Sequence, residues 1–251
     1  PRSTQGVSSA ASDVYKRQGV ERHTFTILAR CQHSAALGVA IATYSLGVGG
    51  YCPAINPQAG VLTSQAFADP RLRPIGMQIL ESGSSAAQAL HGMQNADPYP
   101  DYRQIGIVDA QGNVAAYTGP KARDWAGHET GVGYVAMGNV MVGPQVVAAM
   151  ARTFESAEPE GLEERLLRSI EAGRDAGGQP EGQRSAALIV YRVEESYPWM
   201  DLRVDAHDEP VGELRRVYEL YQPMAEYYYY LRPQDPANTP TQQEWIAKLS
   251  D

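Results

Sequence analysis

The chain has 251 residues, of which 43% are hydrophobic and 20% are charged, a composition typical of a globular protein and not of a disordered one. Its formal net charge is −8. An acidic surface repels phosphate backbones, so we expect no nucleic-acid partner. No apolar run approaches the roughly 18 residues that a membrane helix needs, and we expect no membrane partner.

The first 18 residues differ from the rest of the chain. Residues 1–18 are rich in Ser, Ala, Gly and Gln and have no apolar period, and residues 13–18 (DVYKRQ) resemble the in-frame translation of a transposon adapter used in sequencing libraries. We therefore interpret residues 1–18 as a non-native leader and exclude them from the fold. Because a signal peptide can have been lost here, the compartment stays open between the cytoplasm and export.

The folded part is predicted to open with strands. Residues 24–29 (TFTILA) alternate and are rich in β-formers, and residues 38–43 (GVAIAT) are typical of a second, buried strand. The glycine-rich segment 46–50 predicts a flexible loop. Residues 60–67 predict a third strand.

Helix pairs separate the later groups of strands. The predicted helices cover residues 71–81, a segment capped by Ser84 or Ser85 up to about 93, 144–157, 161–172, and 209–230 with a break at Pro223. The remaining predicted strands cover residues 104–109, 113–117, 133–142, 185–193 and 199–204. Because the helices come in consecutive pairs, this order argues against a doubly wound parallel sheet and favours layered sheets covered by helix pairs.

Several motifs together resemble one known family. They lie at residues 24–30, 37–42, 61–68, 102–119, 125–128, 138–144, 185–188 and 201–205. With these motifs the chain resembles the domain of unknown function 1028 family, and its element order resembles the N-terminal-nucleophile (Ntn) hydrolases and proteasome β-type subunits. The resemblance implies an α+β fold: a four-layer αββα sandwich with two mainly antiparallel sheets. It would span residues 19–210, with a C-terminal helical extension at 211–251.

The resemblance also makes Thr24 the first candidate catalytic residue. An N-terminal threonine combines a hydroxyl nucleophile with an α-amino group whose pKa near 8 lets it act as a base. This chemistry requires the removal of His23; otherwise Thr24 only opens a strand. Proteasome-like relatives place a lysine after the second strand, and residues 43–45 contain none.

Loops and strand ends supply the other candidates. Gly47 and Gly49 can present backbone N–H groups to a developing oxyanion, or the segment only turns the chain. His128, in a predicted loop, is a candidate acid or base, with Trp125 as a pocket wall; the alternative for His128 is a structural hydrogen bond. Asn139 is a candidate for orienting a substrate carbonyl, or it holds the turn that follows.

The remaining candidates come from two strands and the cysteines. Thr63 and Gln65, within the third predicted strand, are candidate substrate-binding residues. Polar residues alternate along 201–207 and share one face, as an ion-pair ladder or as a metal cluster. We favour the ladder and predict no metal site, because no second His or Cys lies nearby. Cys31 and Cys52 form either one disulfide or two free thiols.

These observations predict a hydrolase of an amide-like bond that uses Thr24, assisted by Asn139 and His128, on a small-molecule or peptide-like substrate and without a cofactor. The open alternative is a catalytically inactive binding or assembly module on the same fold. A cell-wall association is one form of it, since residues 235–245 resemble a peptidoglycan-binding segment. The tyrosine run at 227–230 and the fold class predict a homodimer.

Overall fold

The computed structural model describes residues 23–249, so the predicted leader at 1–18 lies outside the described residues. Within them the strands are β1 Thr24–Arg30, β2 Leu37–Thr43, β3 Pro53–Asn56, β4 Gly60–Ala66, β5 Arg103–Asp109, β6 Val114–Thr118, β7 Gly127–Gly131, β8 Tyr134–Asn139, β9 Ser185–Tyr191 and β10 Met200–Asp205. The α-helices are α1 Val48–Tyr51, α2 Leu72–Glu81, α3 Ala86–Ala96, α4 Gln145–Ser156, α5 Leu162–Asp175, α6 Pro210–Tyr221, α7 Arg232–Gln234 and α8 Gln242–Leu249.

The strands form two antiparallel sheets that pack face to face. The larger sheet has the order β10-β9-β2-β1-β8-β7 and the smaller one β3-β4-β5-β6. Helices α4 and α5 cover the outer face of the larger sheet, and α2 and α3 cover the outer face of the smaller one. The predicted αββα sandwich is therefore confirmed.

The alternation along β1 shows why the layers form. Phe25 and Ile27 belong to the apolar cluster on the helix side of the sheet, whereas Leu28 belongs to the cluster between the two sheets. Thr24 and Thr26 have the same phase as Leu28, because successive side chains of a strand point to opposite faces. Full burial of each large aliphatic or aromatic side chain stabilises the fold by about 1.5–3 kcal/mol.

Local signals set the start of α3 and the break near Pro223 as predicted, whereas the helix predicted to stop at Gly173 continues to Asp175. Ser85 caps α3 with a capping box, in which its hydroxyl accepts from the backbone N–H of Gln88 and the Gln88 side chain accepts from Ser85. The long helix predicted at 209–230 ends as regular α-helix at Tyr221, followed by a 3₁₀ turn that contains Pro223.

Three local predictions need correction. Residues 46–50 are not simply a flexible loop, because α1 begins after Gly47, which adopts a left-handed conformation. Strand β3 was not predicted; it is short and begins at Pro53. Strand β7 was also missed, and it places His128 on a strand instead of in a loop. Its sequence, GHETG, is largely exposed at a sheet edge and so lacks the apolar alternation of a core strand.

The C-terminal part packs on the same core. Val211, Leu214 and Tyr218 of α6 are buried in the helix-side cluster, and Tyr229 and Tyr230 pack against it. The domain boundary at residue 210 stays a prediction. None of the helices between residues 23 and 249 has the length and apolar character needed to cross a bilayer.

Candidate active site

A row of polar side chains crosses the larger sheet at one end. The strand registers pair Asn139 with Thr24, Thr24 with Thr43, Thr43 with Ser185, and Ser185 with Asp205. Directly opposed residues of antiparallel strands project to the same face, here the face toward the smaller sheet. The first four are buried, whereas Asp205 lies exposed at the edge.

The smaller sheet opposes this row with polar residues of its own. Gln65 pairs with Gln104, and Gln104 with Thr118. The Thr26 hydroxyl bridges the two sheets by donating to Gln65 Oε1 at 2.6 Å, and Gln65 Nε2 donates to Gln104 Oε1 at 2.8 Å. We call the connected set the polar network: Thr24, Thr26, Thr43, Gln65, Gln104, Thr118 and Asn139. None of these seven side chains carries a charge.

Two side-chain amides hold the main chain of Thr24. Gln65 Nε2 and Asn139 Nδ2 lie 3.4 and 3.3 Å from the Thr24 carbonyl oxygen. Asn139 Nδ2 also donates to Gln104 Oε1 at 3.1 Å. Gln104 Nε2 in turn contacts the carbonyl oxygens of Gly127 and Gly138 at 3.0 and 2.9 Å. The start of β1 is thus fixed by side chains from both sheets.

The hydroxyl of Thr24 belongs to a short relay. Its Oγ1 lies 3.1 Å from Thr43 Oγ1, and the Thr43 hydroxyl donates to the carbonyl oxygen of His23. Because a hydroxyl has a single hydrogen, Thr24 is the donor to Thr43. The relay therefore runs from the Thr24 hydroxyl to the carbonyl of the peptide bond that precedes it.

One acceptor in the network is left over. Asn139 is fully buried, yet its Oδ1 has no hydrogen-bond partner within residues 23–249. The opposite amide orientation would set this oxygen against the Thr24 carbonyl and Gln104 Oε1, both acceptors, so the network fixes the orientation. Thr63 Oγ1 is likewise buried without a partner in this range. An unpaired buried acceptor costs about 1–3 kcal/mol, which makes Asn139 suited to receive an N–H group.

His128 lies at the rim of the network. Thr118 Oγ1 is 2.8 Å from His128 Nδ1 and 3.0 Å from Gln104 Nε2. Gln104 Nε2 donates to Thr118 Oγ1, and the Thr118 hydroxyl can donate its own hydrogen to Nδ1 when a neutral His128 carries its proton on Nε2. The residue is exposed, but partial desolvation of the ring lowers the pKa of His128. Trp125 packs against the helix-side cluster, away from the face of the polar network.

The glycine-rich segment is docked on the far strands of the sheet. The Gly47 N–H donates to Asp205 Oδ1 at 2.6 Å, and the Val48 N–H donates to Ser185 Oγ at 3.2 Å. A Cβ on Gly49 would lie 2.7 Å from that of Ala187, so close packing requires glycine there. The Gly47 amide is engaged within the protein, and its predicted oxyanion role is unsupported by this geometry.

The structure also decides between the alternatives for the alternating face of β10 and for the two cysteines. Arg203 Nε lies 2.6 Å from Asp201 Oδ1, and Asp205 accepts from Gly47, so the alternating face of β10 is an ion-pair surface. Between residues 23 and 249, no group of three or more His, Cys, Asp or Glu side chains could hold a metal ion. Within residues 23–249 Cys31 and Cys52 form no disulfide, and both side chains are buried.

Sequence reasoning missed three members of the network. Thr26 and Gln104 lie within predicted strands, Thr118 directly follows the strand predicted at 113–117, and Thr43 drew notice only for the absence of a lysine. One signal in the sequence could have found them. Each residue stands at a position of the strand alternation whose side chain faces the other sheet, at the end of the strand where polar residues replace apolar ones. The sequence of one strand does not determine which other strands lie beside it, so the signal can be used only when the strand pairing of the sheets is known.

Comparison with known proteins identifies the family. The model of the family of unknown function DUF1028 matches residues 24–214. The crystal structure of protein SPO2555 from Silicibacter pomeroyi, a DUF1028 protein, is 34% identical with a TM-score of 0.74, covering 80% of this chain and 86% of that chain. Anbu (ancestral beta-subunit) from Yersinia bercovieri is 12% identical with a TM-score of 0.37, covering 79% of this chain and 94% of that chain, too distant to support an argument. No curated protein matches the chain. The chain therefore belongs to the DUF1028 family.

Proposed function

We propose that the chain is an Ntn hydrolase that cleaves an amide-like bond with Thr24 after losing the residues that precede it. The relay from the Thr24 hydroxyl through Thr43 to the His23 carbonyl carries this proposal. It joins the nucleophile to the oxygen on which negative charge would develop if Thr24 attacked its own preceding peptide bond.

The first step is cleavage of the His23–Thr24 bond. Thr24 Oγ1 adds to the His23 carbonyl carbon, and the Thr43 hydroxyl stabilises the oxyanion, as preorganised donors do in acyl transfer. The C–N bond then breaks, the nitrogen takes the proton that Thr24 Oγ1 loses, and His23 is held as an ester on Thr24. Water hydrolyses this ester, which leaves a His23 carboxylate and a free amine on Thr24.

The same groups then act on a substrate. The α-amine accepts the proton of Thr24 Oγ1, which attacks the substrate carbonyl, and Thr43 again faces the oxyanion. Asn139 Oδ1 is the acceptor for the Thr24 amine or for a substrate N–H, whereas its Nδ2 is already engaged. His128 is the acid or base at the rim of the network, where it exchanges protons with solvent, and Thr118 and Gln104 hold its ring in place. Gln65 and Thr63 remain proposed substrate contacts.

Intact mass and N-terminal sequencing of the purified chain test the first step. A mature chain that begins at Thr24, and that a broad β-lactone labels once, is the expected result. Thr24→Ala should abolish both cleavage and labelling. Thr130→Ala, at an exposed position of β7, is the matched control and should retain them. Retention of His23 in wild-type protein that is folded and never labelled would refute the proposal.

A groove far from Thr24 favours a second function, that of a binding module. It has a volume of about 710 Å³ and is lined by residues including Cys31, Glu163, Arg192, Trp199 and Tyr230. The Arg192 guanidinium lies 3.3 Å above the centre of the Trp199 ring, an aromatic-cationic surface suited to polar ligands. Retention of the unprocessed protein on insoluble peptidoglycan, lost in Arg192→Ala, would support this function; absence of retention would exclude the cell-wall form.

We also propose that the protein is a homodimer. Exposed apolar side chains recur along the C-terminal helical part, at Leu220, Leu231, Ile246 and Leu249, and exposed apolar surface is a frequent feature of subunit interfaces. Light scattering coupled to size-exclusion chromatography should give twice the chain mass. A monomer at micromolar concentration would contradict this proposal.

A further inference from the structure

The side chain of His23 fills an enclosed position beside the nucleophile. The residue is 2% exposed. Its ring lies 6.4 Å from that of Tyr44 between centroids, and its Nδ1 lies 2.9 Å from Glu181 Oε2. The Thr43 hydroxyl holds its carbonyl oxygen. The residue before Thr24 is therefore bound by its neighbours like a ligand, through both its side chain and its carbonyl.

The chemistry of the proposed cleavage indicates what the position occupied by His23 binds after processing. In that reaction His23 is the acyl group that passes to Thr24, and a substrate later passes its own acyl group to the same atom. The nucleophile and the oxyanion donor are the same in both reactions. The acyl group of a substrate must therefore occupy the position that His23 occupies before cleavage.

We propose that the space filled by His23 is the acyl-side subsite of the enzyme, and that it selects an acyl group with a basic side chain. This inference rests on the proposed function. The substrate class is an N-acylated amide or peptide with a histidine-like, arginine-like or lysine-like side chain on the acyl side of the scissile bond. Glu181 is the specificity residue and Tyr44 supplies an aromatic wall.

The loop between α5 and β9 supports this assignment. It carries Glu181, whose side chain is 59% exposed, so the subsite opens toward solvent at its acidic end. Two residues earlier, Gln179 is 3% exposed, and neither polar atom of its amide has a hydrogen-bond partner between residues 23 and 249. Buried amides are normally paired. Two residues from Glu181, this amide still has both its donor and its acceptor available for a polar group of a substrate.

Processed protein provides the test. Four fluorogenic substrates, N-acetyl-His, N-acetyl-Arg, N-acetyl-Leu and N-acetyl-Asp linked to aminomethylcoumarin, are compared by kcat/KM. We expect the His and Arg substrates to exceed the Leu substrate by about tenfold or more and Asp to be the poorest, since complementary charge discriminates strongly in partly desolvated sites. Glu181→Gln should reduce the preference for His and Arg over Leu to about twofold, and Glu181→Lys should favour the Asp substrate over Arg.

Controls separate a failed subsite from a failed enzyme. Glu226→Gln, an exposed glutamate in the C-terminal part, should keep the wild-type order of substrates. Mass spectrometry and β-lactone labelling of each variant report processing and an intact nucleophile independently of substrate choice. Labelled, processed protein that prefers Leu, or whose preference is unchanged in Glu181→Lys, would overturn the subsite alone. Protein that is neither processed nor labelled would overturn the proposed function and the subsite with it.

Discussion

The space between the two sheets has a polar end and an apolar middle, built by the same strands. At the polar end β1 contributes Thr24 and Thr26, and one step further along the same face it contributes Leu28. Leu28 meets only apolar neighbours in its cluster, whereas Thr26 bonds to Gln65 across the sheets. Backbone pairing continues unchanged from one region to the other.

The difference separates what stabilises the fold from what is available for chemistry. The apolar middle gains free energy from burial and close packing. The polar end gains little net free energy from each hydrogen bond and loses some at unpaired acceptors such as Asn139 Oδ1. The polar layer at the start of β1 therefore contributes little to the stability of the fold. Its hydrogen bonds instead hold a reactive group in one orientation.

The largest expected effect is on the reaction and comes from the polar end. Thr43→Val keeps the shape of the side chain but removes the donor to the His23 carbonyl. Processing of the His23–Thr24 bond should slow by about 10²- to 10³-fold, as for loss of one oxyanion donor. Time-resolved intact mass of freshly translated protein measures this rate. Thr130→Val serves as the control, and unchanged kinetics in Thr43→Val would remove Thr43 from the mechanism.

The next effect is on stability and comes from the apolar middle. Leu28→Ala should lower the free energy of unfolding by about 2–5 kcal/mol, because it leaves a cavity between the sheets. Chemical denaturation measures the change. Val132→Ala, at an exposed position, should change it by less than about 0.5 kcal/mol. Processed protein should still be found with Leu28→Ala at low temperature; loss of processing there would mean that the two regions are not separable.

A substitution within the polar network should lower both the free energy of unfolding and the rate of processing, by less than the two substitutions above. Gln104→Ala removes the acceptor shared by Gln65 and Asn139 and the donor to Gly138. We expect a loss of about 1–3 kcal/mol in the free energy of unfolding from the groups left unpaired. Processing should also slow, since the clamp on Thr24 loosens. Denaturation curves together with intact mass test both, and a neutral effect on both would contradict a coupled network.

The smallest effect concerns acid sensitivity. The network has no charged side chain, so acid stability should depend on ion pairs nearby. A hydrogen bond from Arg71 is the main cause that lowers the pKa of Asp69 from 3.8 to about 2. Its stabilisation is present above the unfolded pKa and is lost as the pH falls from about 4 through 2. Because Arg71 is exposed, solvent screening makes this contribution to the free energy of unfolding small.

Urea denaturation at pH 6 and at pH 2 measures this dependence. Asp69→Asn should be less stable than wild type at pH 6 and should match it near pH 2. Gln104→Glu, which places an ionisable group inside the network, should instead be least stable at pH 6 and recover partly in acid, because burial disfavours the charged form. Equal pH profiles for wild type and Asp69→Asn would show that another ion pair governs acid unfolding.

Much of the fold followed from local patterns, and little of the site did. The inward phase of Thr24, the cap at Ser85 and the break near Pro223 depend on residues close in sequence. Strand β7 was missed because an exposed edge strand lacks an apolar phase. Trp125 was predicted as a pocket wall and Gly47 as an oxyanion donor, but the structure directs the first toward the helix-side core and engages the second with Asp205.

The sequence by itself determined the layers, because apolar alternation and helix amphipathicity act over a few residues and specify which face each element buries. It also singled out Thr24 through its family motifs. Only the tertiary structure decided which polar side chains meet Thr24. Thr43, Gln65, Gln104 and Asn139 lie on four different strands, and their contacts depend on strand order, register and the stacking of two sheets. Each of these is set by packing between segments far apart in the chain.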